Sequence, residues 1–270
     1  MNKVPAVTEI CEGVYLIDEF GGTNCYLVTG TQKALLIDCG TGFCDMTAAI
    51  RQVTDKPVTL VATHGHCDHI GGCGQYEEMY IHKADTAFIN RLQLTRFARV
   101  VFTYGNEPVR KNGFTAKDVT KNKHKTSLIP VSEGQRFDLG GKTVSVHFTP
   151  GHSRGSIALI DETDKIIFSG DNVCDALWLH LPGRLSVEEW IDSARWLSEM
   201  SEEYRVFWGH RNAELSHGYI SQVVKWGEEI LSNSKKNTLL PKRRRHPDTD
   251  EGIVYRTNTV FRKERQIWKK

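Results

Sequence analysis

Short apolar runs separated by glycine-rich turns fill the first third of the chain. Runs of this kind, rich in β-branched residues and bounded by turn residues, are typical of β-strands. They predict strands at residues 13–18, 24–29 and 34–38. Because only short turns connect these segments, we expect the strands to pair antiparallel.

After residue 40 the hydrophobic period changes, and helical patterns begin to separate the extended ones. The predicted elements are helices at 45–53 and 84–101 and strands at 58–63 and 79–82. Residues 102–126, chiefly 105–125, are polar and lysine-rich. This composition predicts a loop or helical insert, which is a candidate lid.

Strand-like runs return between residues 135 and 170. They have the sequences RFDL, KTVSVHF, SIALID and KIIFSG. Helices are predicted at 186–200 and 215–233, with a strand at 205–208 between them and a closing strand at 252–262. Two strand-rich halves that each end in helices predict an α/β fold of the layered α+β kind. We expect one domain over residues 1–270, an αββα sandwich of two mixed β-sheets with helices on the outer faces.

The composition is that of an ordinary globular protein. Hydrophobic residues make up 39% and charged residues 25%, which argues against a disordered or fibrous chain. A net charge of +2 provides no basic field, so no nucleic-acid partner is expected, and the basic run at 241–248 is interpreted as a solvated loop.

No segment is apolar enough for a membrane span or a secretory signal, and seven cysteines lack a repeated spacing. We therefore expect no membrane partner and a cytoplasmic location.

Three histidines and an aspartate follow the predicted strand at 58–63. The segment is His64-Gly65-His66-Cys67-Asp68-His69. Side chains two apart on an extended segment point to the same side, so His64 and His66 can bind one ion. Asp68 and His69 can face a second ion after the chain turns. Imidazole and carboxylate ligands suit zinc, iron or manganese, so this segment predicts a metal site.

Three more ligand candidates each follow a predicted strand and a glycine. These are His152, Asp171 and His210. Glycine permits the tight turn that brings a strand end close to an ion. A local cluster cannot complete two coordination spheres, so we expect these distant side chains to complete them.

The motifs resemble those of the metallo-β-lactamase fold superfamily, which run as an aspartate, H-x-H-x-D-H, a histidine, an aspartate and a last histidine. The form Thr-His-x-His-x-Asp-His-x-Gly-Gly, with an aspartate at 171, is similar to the glyoxalase II-like branch. The resemblance implies that Asp171 bridges two metals and that Asp38 orients a ligand from outside the coordination sphere. It implies a first site of His64, His66 and His152 and a second of Asp68, His69 and His210.

The same resemblance implies a metal-dependent hydrolase, of enzyme class EC 3, that acts on a small molecule. Its cofactors would be two divalent ions, with zinc expected first and iron or manganese as alternatives. The ions would activate a shared, metal-bound water to attack an ester, thioester, lactone or amide, and Asp68 would also handle protons. Trp178, His180 and Arg184 follow the Asp171 motif and are predicted to line the pocket mouth.

Two other functions stay open on this scaffold. One is an iron-dependent redox enzyme similar to persulfide dioxygenases, because iron accepts the same ligands. The other is a nuclease, which the balanced charge supports less. After His210 the chain departs from glyoxalase II itself, since one helix, the basic run and a strand replace a multi-helix substrate domain. The oligomeric state is left open, a homodimer included.

Overall fold

The computed structural model describes residues 4–88, 111, 113–115, 125–211, 213–240 and 242–262. Within them the chain forms three β-sheets and five α-helices. The second half of the predicted helix at 84–101 and nearly all of the candidate lid at 102–126 lie outside the described residues. No helix in the described part combines the length and the apolar character that a bilayer span needs.

The first sheet has seven strands in sequential order. They are β1 (Ala6–Cys11), β2 (Val14–Asp18), β3 (Asn24–Thr29), β4 (Ala34–Ile37), β5 (Val58–Val61), β6 (Glu78–His82) and β7 (Ser127–Val131). β1 to β4 pair antiparallel, as the short turns predicted for β2 to β4, and β4 to β7 pair parallel. Helices α1 (Met46–Ile50), α2 (Cys67–Ile70) and α3 (Lys83–Phe88) lie in the crossovers between the parallel strands.

The second sheet contains the strands of the later half. These are β8 (Arg136–Asp138), β9 (Thr143–Phe148), β10 (Ile157–Asp161), β11 (Ile166–Phe168), β13 (Arg205–Phe207) and β14 (Glu214–Leu215). The spatial order is β14-β13-β11-β10-β9-β8, and only β11 and β13 pair parallel among these neighbours. Helix α4 (Val187–Met200) crosses between that parallel pair, and α5 (His217–Asn233) follows β14. Ser186 and Glu189 form a capping box that fixes where α4 begins.

A third, three-stranded sheet was not predicted. It has the order β12 (Ala176–Leu179), β16 (Gly252–Arg256) and β15 (Arg243–His246). The interpretation of the basic run at 241–248 as a solvated loop was therefore wrong for its central part, because β15 pairs antiparallel with β16. The predicted closing strand at 252–262 ends early, at Arg256, where the Thr259 N–H donates to the Arg256 carbonyl and the chain turns.

Three apolar clusters order these parts into layers. Side chains from both large sheets, such as Leu35 and Phe168, form a cluster between the sheets. Met46 of α1 packs on the outer face of the first sheet. Trp190 of α4 and Val223 of α5 pack on the outer face of the second sheet. The predicted αββα sandwich is confirmed, with the third sheet added beside α5.

Candidate metal centre

Four loops that follow strands converge at one edge of the two large sheets. At this edge a hydrogen bond links the two sheets: the Ile157 N–H donates to the Thr63 carbonyl at 2.9 Å. Phe168 and Phe207 are register partners in the parallel strands β11 and β13. Asp171 and His210 each follow these partners by three residues, so the parallel register alone brings the two side chains side by side.

The first cluster consists of three buried imidazoles, from His64, His66 and His152. The His66 Nδ1 atom lies 3.0 Å from His64 Nε2 and 2.8 Å from His152 Nε2. His66 has an extended backbone, with φ −77° and ψ 149°, and begins helix α2. The extended segment therefore points His64 and His66 to one side, as its spacing predicted, and three ring nitrogens face a common point.

The second cluster combines two carboxylates with two imidazoles. Its ligand atoms, from Asp68, His69, Asp171 and His210, lie within 4.8 Å of one another. The His210 Nε2 atom lies 3.1 Å from Asp171 Oδ2 and 3.5 Å from Asp68 Oδ2. Helix α2 carries Asp68 and His69 away from the direction of His64 and His66. One short sequence motif thereby contributes to both clusters.

Asp171 lies between the two clusters. Its Oδ2 atom lies 3.8 Å from His152 Nε2 in the first cluster and 3.1 Å from His210 Nε2 in the second. Its Oδ1 atom lies 3.4 Å from His69 Nε2. A single carboxylate therefore faces both sets of ligands, the arrangement expected of a bridging ligand.

The imidazoles of the first cluster are held neutral. Burial, followed by repulsion from neighbouring imidazoles, lowers the pKa of His64 well below its ordinary value and that of His152 to about 3. Burial also lowers the pKa of His66. A neutral ring nitrogen that carries no proton is the form that binds a metal ion.

The second cluster has the opposite electrostatics. Burial alone would lower the pKa of His69 and His210, but Asp171 and the other carboxylates outweigh it and raise them, to about 9 for His210. In return, His210 and His69 overcome the effect of burial and hold the pKa of Asp171 well below its usual range. The negative charge that attracts protons here would equally attract a divalent cation.

The residues fit a pair of divalent cations. In the first cluster three neutral imidazoles face one another with ring nitrogens 2.8 and 3.0 Å apart, and all three could coordinate one ion. In the second, His69 Nε2 and Asp171 Oδ1 are buried and lie 3.4 Å apart, and neither forms a well-directed hydrogen bond among the described residues. Buried polar atoms in native proteins are nearly always paired, so these two atoms are the ones an ion would satisfy.

Contacts on the far side of the rings fix their orientation. Asp38 Oδ2 accepts from His69 Nδ1 at 2.7 Å, and Asp38 Oδ1 accepts from the Thr63 N–H at 2.7 Å. His210 Nδ1 donates to the Gly22 carbonyl at 2.5 Å. Asp38 adopts the left-handed region, with φ +60°, which is costly for a residue other than glycine. These partners leave Nε2 of both rings facing the second cluster.

The glycines before the distant ligands are required by close packing. A Cβ atom on Gly209 would lie 2.4 Å from Asp171 Oδ1 and 2.5 Å from His69 Cε1. One on Gly151 would lie 2.3 Å from Trp190 Cδ1, and one on Gly170, which has φ +55°, would lie 2.6 Å from Thr63 Oγ1. The chain passes so close to the ligands at Gly209 that no side chain fits.

Substitution of Gly209 by alanine should therefore displace ligands of the second cluster. We expect Gly209→Ala to weaken the binding of a divalent metal ion by about 10–100-fold, the range seen when groups that position ligands are changed. The matched control is Gly218→Ala, because a Cβ on this exposed glycine of α5 meets nothing within 4 Å. Competition against a chromogenic chelator measures both affinities, and wild-type affinity in Gly209→Ala would refute this packing argument.

Two further residues support the first cluster and were missed from the sequence. The buried Asp85 accepts hydrogen bonds from the Gly65 N–H at 2.8 Å and from Ser153 Oγ at 2.6 Å. It thus joins the loop of His64 and His66 to the loop of His152. Asn172 Oδ1 accepts from the His152 N–H at 3.2 Å. A single aspartate at a helix start carries no signal of this role, whereas Asn172 adjoins a predicted ligand.

The predicted pocket-mouth residues lie on the third sheet and the loop after it. Trp178 is 42% exposed on β12, and its ring centroid is 5.6 Å from that of His180. The Arg184 Nη1 atom donates to the Leu181 carbonyl at 3.2 Å. None of the three belongs to either ligand cluster, and their contact with a substrate stays a prediction.

Comparison with known proteins places this geometry in a family. The sequence-based family model of the metallo-beta-lactamase superfamily matches residues 18–210 of this chain. An acyl-coenzyme A thioesterase, MBLAC2, of Gallus gallus is 30% identical over 221 residues, which cover 74% of this chain and 79% of the relative. The atrochrysone carboxyl ACP thioesterase AacuM of Aspergillus aculeatus is 29% identical over 56% of this chain and 40% of its own.

A solved structure supports the fold independently. The metallo-beta-lactamase family protein TTHA1429 from Thermus thermophilus superposes with a TM-score of 0.61 at 20% identity, covering 87% of this chain and 85% of the other. At that identity the similarity concerns the fold alone. The glyoxalase II-like branch stays a prediction, because the names of these relatives do not point to it.

Proposed function

Since the chain belongs to the metallo-beta-lactamase superfamily, we propose that it is a hydrolase that binds two divalent ions and cleaves a thioester. The observation that carries the proposal is the position of Asp171, whose carboxylate lies within 3.8 Å of ring nitrogens in both clusters. Ligands shared in this way are expected where two ions act on one bond. A structural metal would need only one closed cluster.

The choice of a thioester rests on the relatives. Two of them carry the name thioesterase, for an acyl-coenzyme A and for an acyl carrier protein substrate. The same set of metal ligands could serve the hydrolysis of esters, lactones and amides. Only the names of the relatives favour a thioester, in which sulfur is the leaving atom. A small-molecule thioester is therefore the substrate class that we propose.

In this proposal the residues have distinct roles. When bound, divalent ions lower the pKa of a water molecule towards neutrality and polarise a carbonyl group. His64, His66 and His152 would hold one ion, Asp68, His69 and His210 would hold the other, and Asp171 would contribute to both. Asp68 is buried with its Oδ2 atom 3.5 Å from His210 Nε2, where it can accept a proton and pass it to the departing group. Asp38 accepts from His69 Nδ1 and so favours the tautomer that leaves His69 Nε2 free of a proton, as a metal ligand would need.

Zinc is the metal that we propose first. Imidazole and carboxylate ligands without a thiolate suit zinc and also accept iron or manganese. Cys67 and Cys174 lie near the clusters in sequence, but neither belongs to a ligand group found among the described residues. Elemental analysis of protein purified without added metal decides between the ions. Iron together with substrate-dependent oxygen uptake, and no hydrolysis, would favour the redox alternative.

A hydrolase screen tests the proposed reaction. Thioesters, oxygen esters, lactones and phosphodiesters of similar size are incubated with zinc-loaded protein and with protein treated with a chelator. We expect thioester cleavage that disappears on chelation and returns with zinc. Cleavage of phosphodiesters in preference to thioesters would contradict the proposal and support the nuclease alternative.

Removing the charge of Asp38 tests whether its carboxylate holds His69 in position to bind a metal ion. Asp38→Asn keeps the shape of the side chain but removes the carboxylate that accepts from His69 Nδ1 at 2.7 Å. We expect zinc affinity to fall by about 10–100-fold. Asp192→Asn, at an exposed position of α4, is the control. Zinc retained after dialysis is measured, and equal retention in both variants would show that Asp38 does not support the site.

A further inference from the structure

Arginines gather on the outer face of the third sheet and on the loops beside it. On β12 the exposed Trp178 alternates with the buried Leu177 and Leu179, so the sheet has one face in the core and one in solvent. We call the solvent side and its rim the arginine face. Its members are Arg154, Arg184, Arg243, Arg256, His180 and Trp178.

The strand register places like charges side by side. Arg243 and Arg256 are direct partners in the antiparallel pair of β15 and β16. Directly opposite residues project to the same face, and like charges in such positions destabilise a sheet. His180 comes one residue after Leu179, which pairs with Tyr255, and so lies beside Arg256. Burial, and next the charges of Arg243 and Arg256, lower the pKa of His180.

Nothing among the described residues neutralises these arginines. Within the described part of the chain no ion pair involves Arg154, Arg184, Arg243 or Arg256. The Arg184 Nε atom is also buried without a hydrogen-bond partner there. Five other arginines of the described residues contact a carboxylate, namely Arg136, Arg195, Arg205, Arg211 and Arg262, whereas Arg51, Arg244 and Arg245 form no ion pair there either. A set of uncompensated guanidinium groups is suited to an anion from solution.

The arginine face borders the candidate metal centre. The Arg154 N–H donates to the Gly183 carbonyl at 3.0 Å, and the Leu185 N–H donates to the Gly151 carbonyl at 2.8 Å. These bonds join the loop that carries His152 to the loop after β12. The arginine face therefore adjoins the loop that carries His152 of the metal centre.

The side chains match the chemistry of a phosphorylated nucleotide. Guanidinium groups bind phosphate through paired hydrogen bonds. An exposed tryptophan offers a surface on which a base can stack. We propose that the arginine face binds the phosphate-bearing nucleotide end of a thioester such as an acyl-coenzyme A, with the acyl–sulfur bond held at the metal centre. This inference rests on the proposed function for its thioester part.

Binding without catalysis tests the nucleotide site by itself. The probe is 3′-phosphoadenosine 5′-diphosphate, titrated calorimetrically into the zinc-loaded full chain. The double variant Arg243→Ala/Arg256→Ala should bind it at least about tenfold more weakly than the wild type. Arg136→Ala is the control, because this exposed arginine lies on β8 at the far edge of the second sheet. Equal affinity in the wild type and the double variant would overturn the inference.

Kinetics then test the link to the thioester. We expect the double variant to lose at least about tenfold more of its kcat/KM on an acyl-coenzyme A than on the same acyl group attached to N-acetylcysteamine, through KM. Cleavage of both thioesters without this difference would overturn the inference and leave the proposed function standing. Nucleotide binding without cleavage of either thioester would contradict the proposed function instead. Tighter binding of a single-stranded oligonucleotide than of the mononucleotide would also overturn the inference.

Discussion

Replacing Asp171 by asparagine should reduce thioester hydrolysis more than about a hundredfold, beyond the range for residues that only position ligands. The amide keeps the volume of the side chain but removes the negative charge, and its nitrogen cannot bind a cation. The carboxylate lies between the clusters, 3.1 Å from His210 Nε2 and 3.8 Å from His152 Nε2. Its loss should therefore affect both ions, whereas loss of a terminal ligand should affect mainly one.

The matched control for Asp171→Asn is Asp175→Asn. Asp175 lies four residues later and pairs with the exposed Arg211 at 2.9 Å, outside both clusters. It should retain metal and most activity, because an exposed ion pair contributes only about 0–1 kcal/mol. Bound zinc per chain and kcat/KM are measured on both variants. An Asp171→Asn protein with full metal content and activity would show that the carboxylate does not bridge.

Replacing His66 by alanine should abolish binding to the first cluster. His66 Nδ1 contacts both other ring nitrogens of that cluster, at 3.0 and 2.8 Å. We expect hydrolysis to fall by more than about a hundredfold, beyond the loss of about 10–100-fold found when groups that only position ligands are changed. The second cluster should still bind an ion, because His66 does not belong to it.

Thermal unfolding separates metal loss from misfolding in His66→Ala. A ligand present at about a hundred times its dissociation constant stabilises the folded state by about 2.7 kcal/mol. Zinc should therefore raise the Tm of the variant less than that of the wild type, while the metal-free proteins unfold at similar temperatures. His147→Ala, at a half-buried histidine that pairs with Glu133 outside both clusters, is the control. An unchanged zinc-dependent rise in His66→Ala would refute its assignment as a ligand.

Much of the layered fold could be predicted because its strands have strong local patterns. Asn24–Thr29 and Ala34–Ile37 are buried on both faces and form continuous apolar runs. The weaker strands were missed for physical reasons. Ala6–Cys11 and Ser127–Val131 lie at the two edges of the first sheet, where one side of the backbone is unpaired. Pro130 also lowers the strand signal of the second, and proline is tolerated there because β7 is an edge strand.

The third sheet shows where composition misleads. Arg243–His246 has the charge of a solvated loop, yet it forms a strand because β16 supplies hydrogen bonds from a segment whose Ile253 is buried in the core. β15 and β16 form a short hairpin, but β16 is held in the sheet by its pairing with the distant β12, which is a property of the tertiary structure that the arginines alone could not indicate. The same limit applies to the arginine face, whose members become neighbours only through the register of β12, β16 and β15.

The convergence of the metal-site side chains could be anticipated because it depends on short-range rules. Spacing by two residues on an extended segment orients His64 and His66, and a glycine before each distant ligand allows close approach. Asp85 could not be found in this way. Its hydrogen bonds to Gly65 and Ser153 join loops that are far apart in sequence, and nothing near it in the chain marks them.

The central claim is that two ions in adjacent sites support thioester hydrolysis. The most direct measurement is a titration of metal-free protein with zinc in which bound metal and acyl-coenzyme A hydrolysis are followed together. We predict that activity reaches its maximum when two ions are bound per chain and that Asp171→Asn does not reach it at any zinc concentration. Full activity with one bound ion, or no hydrolysis with two, would contradict it.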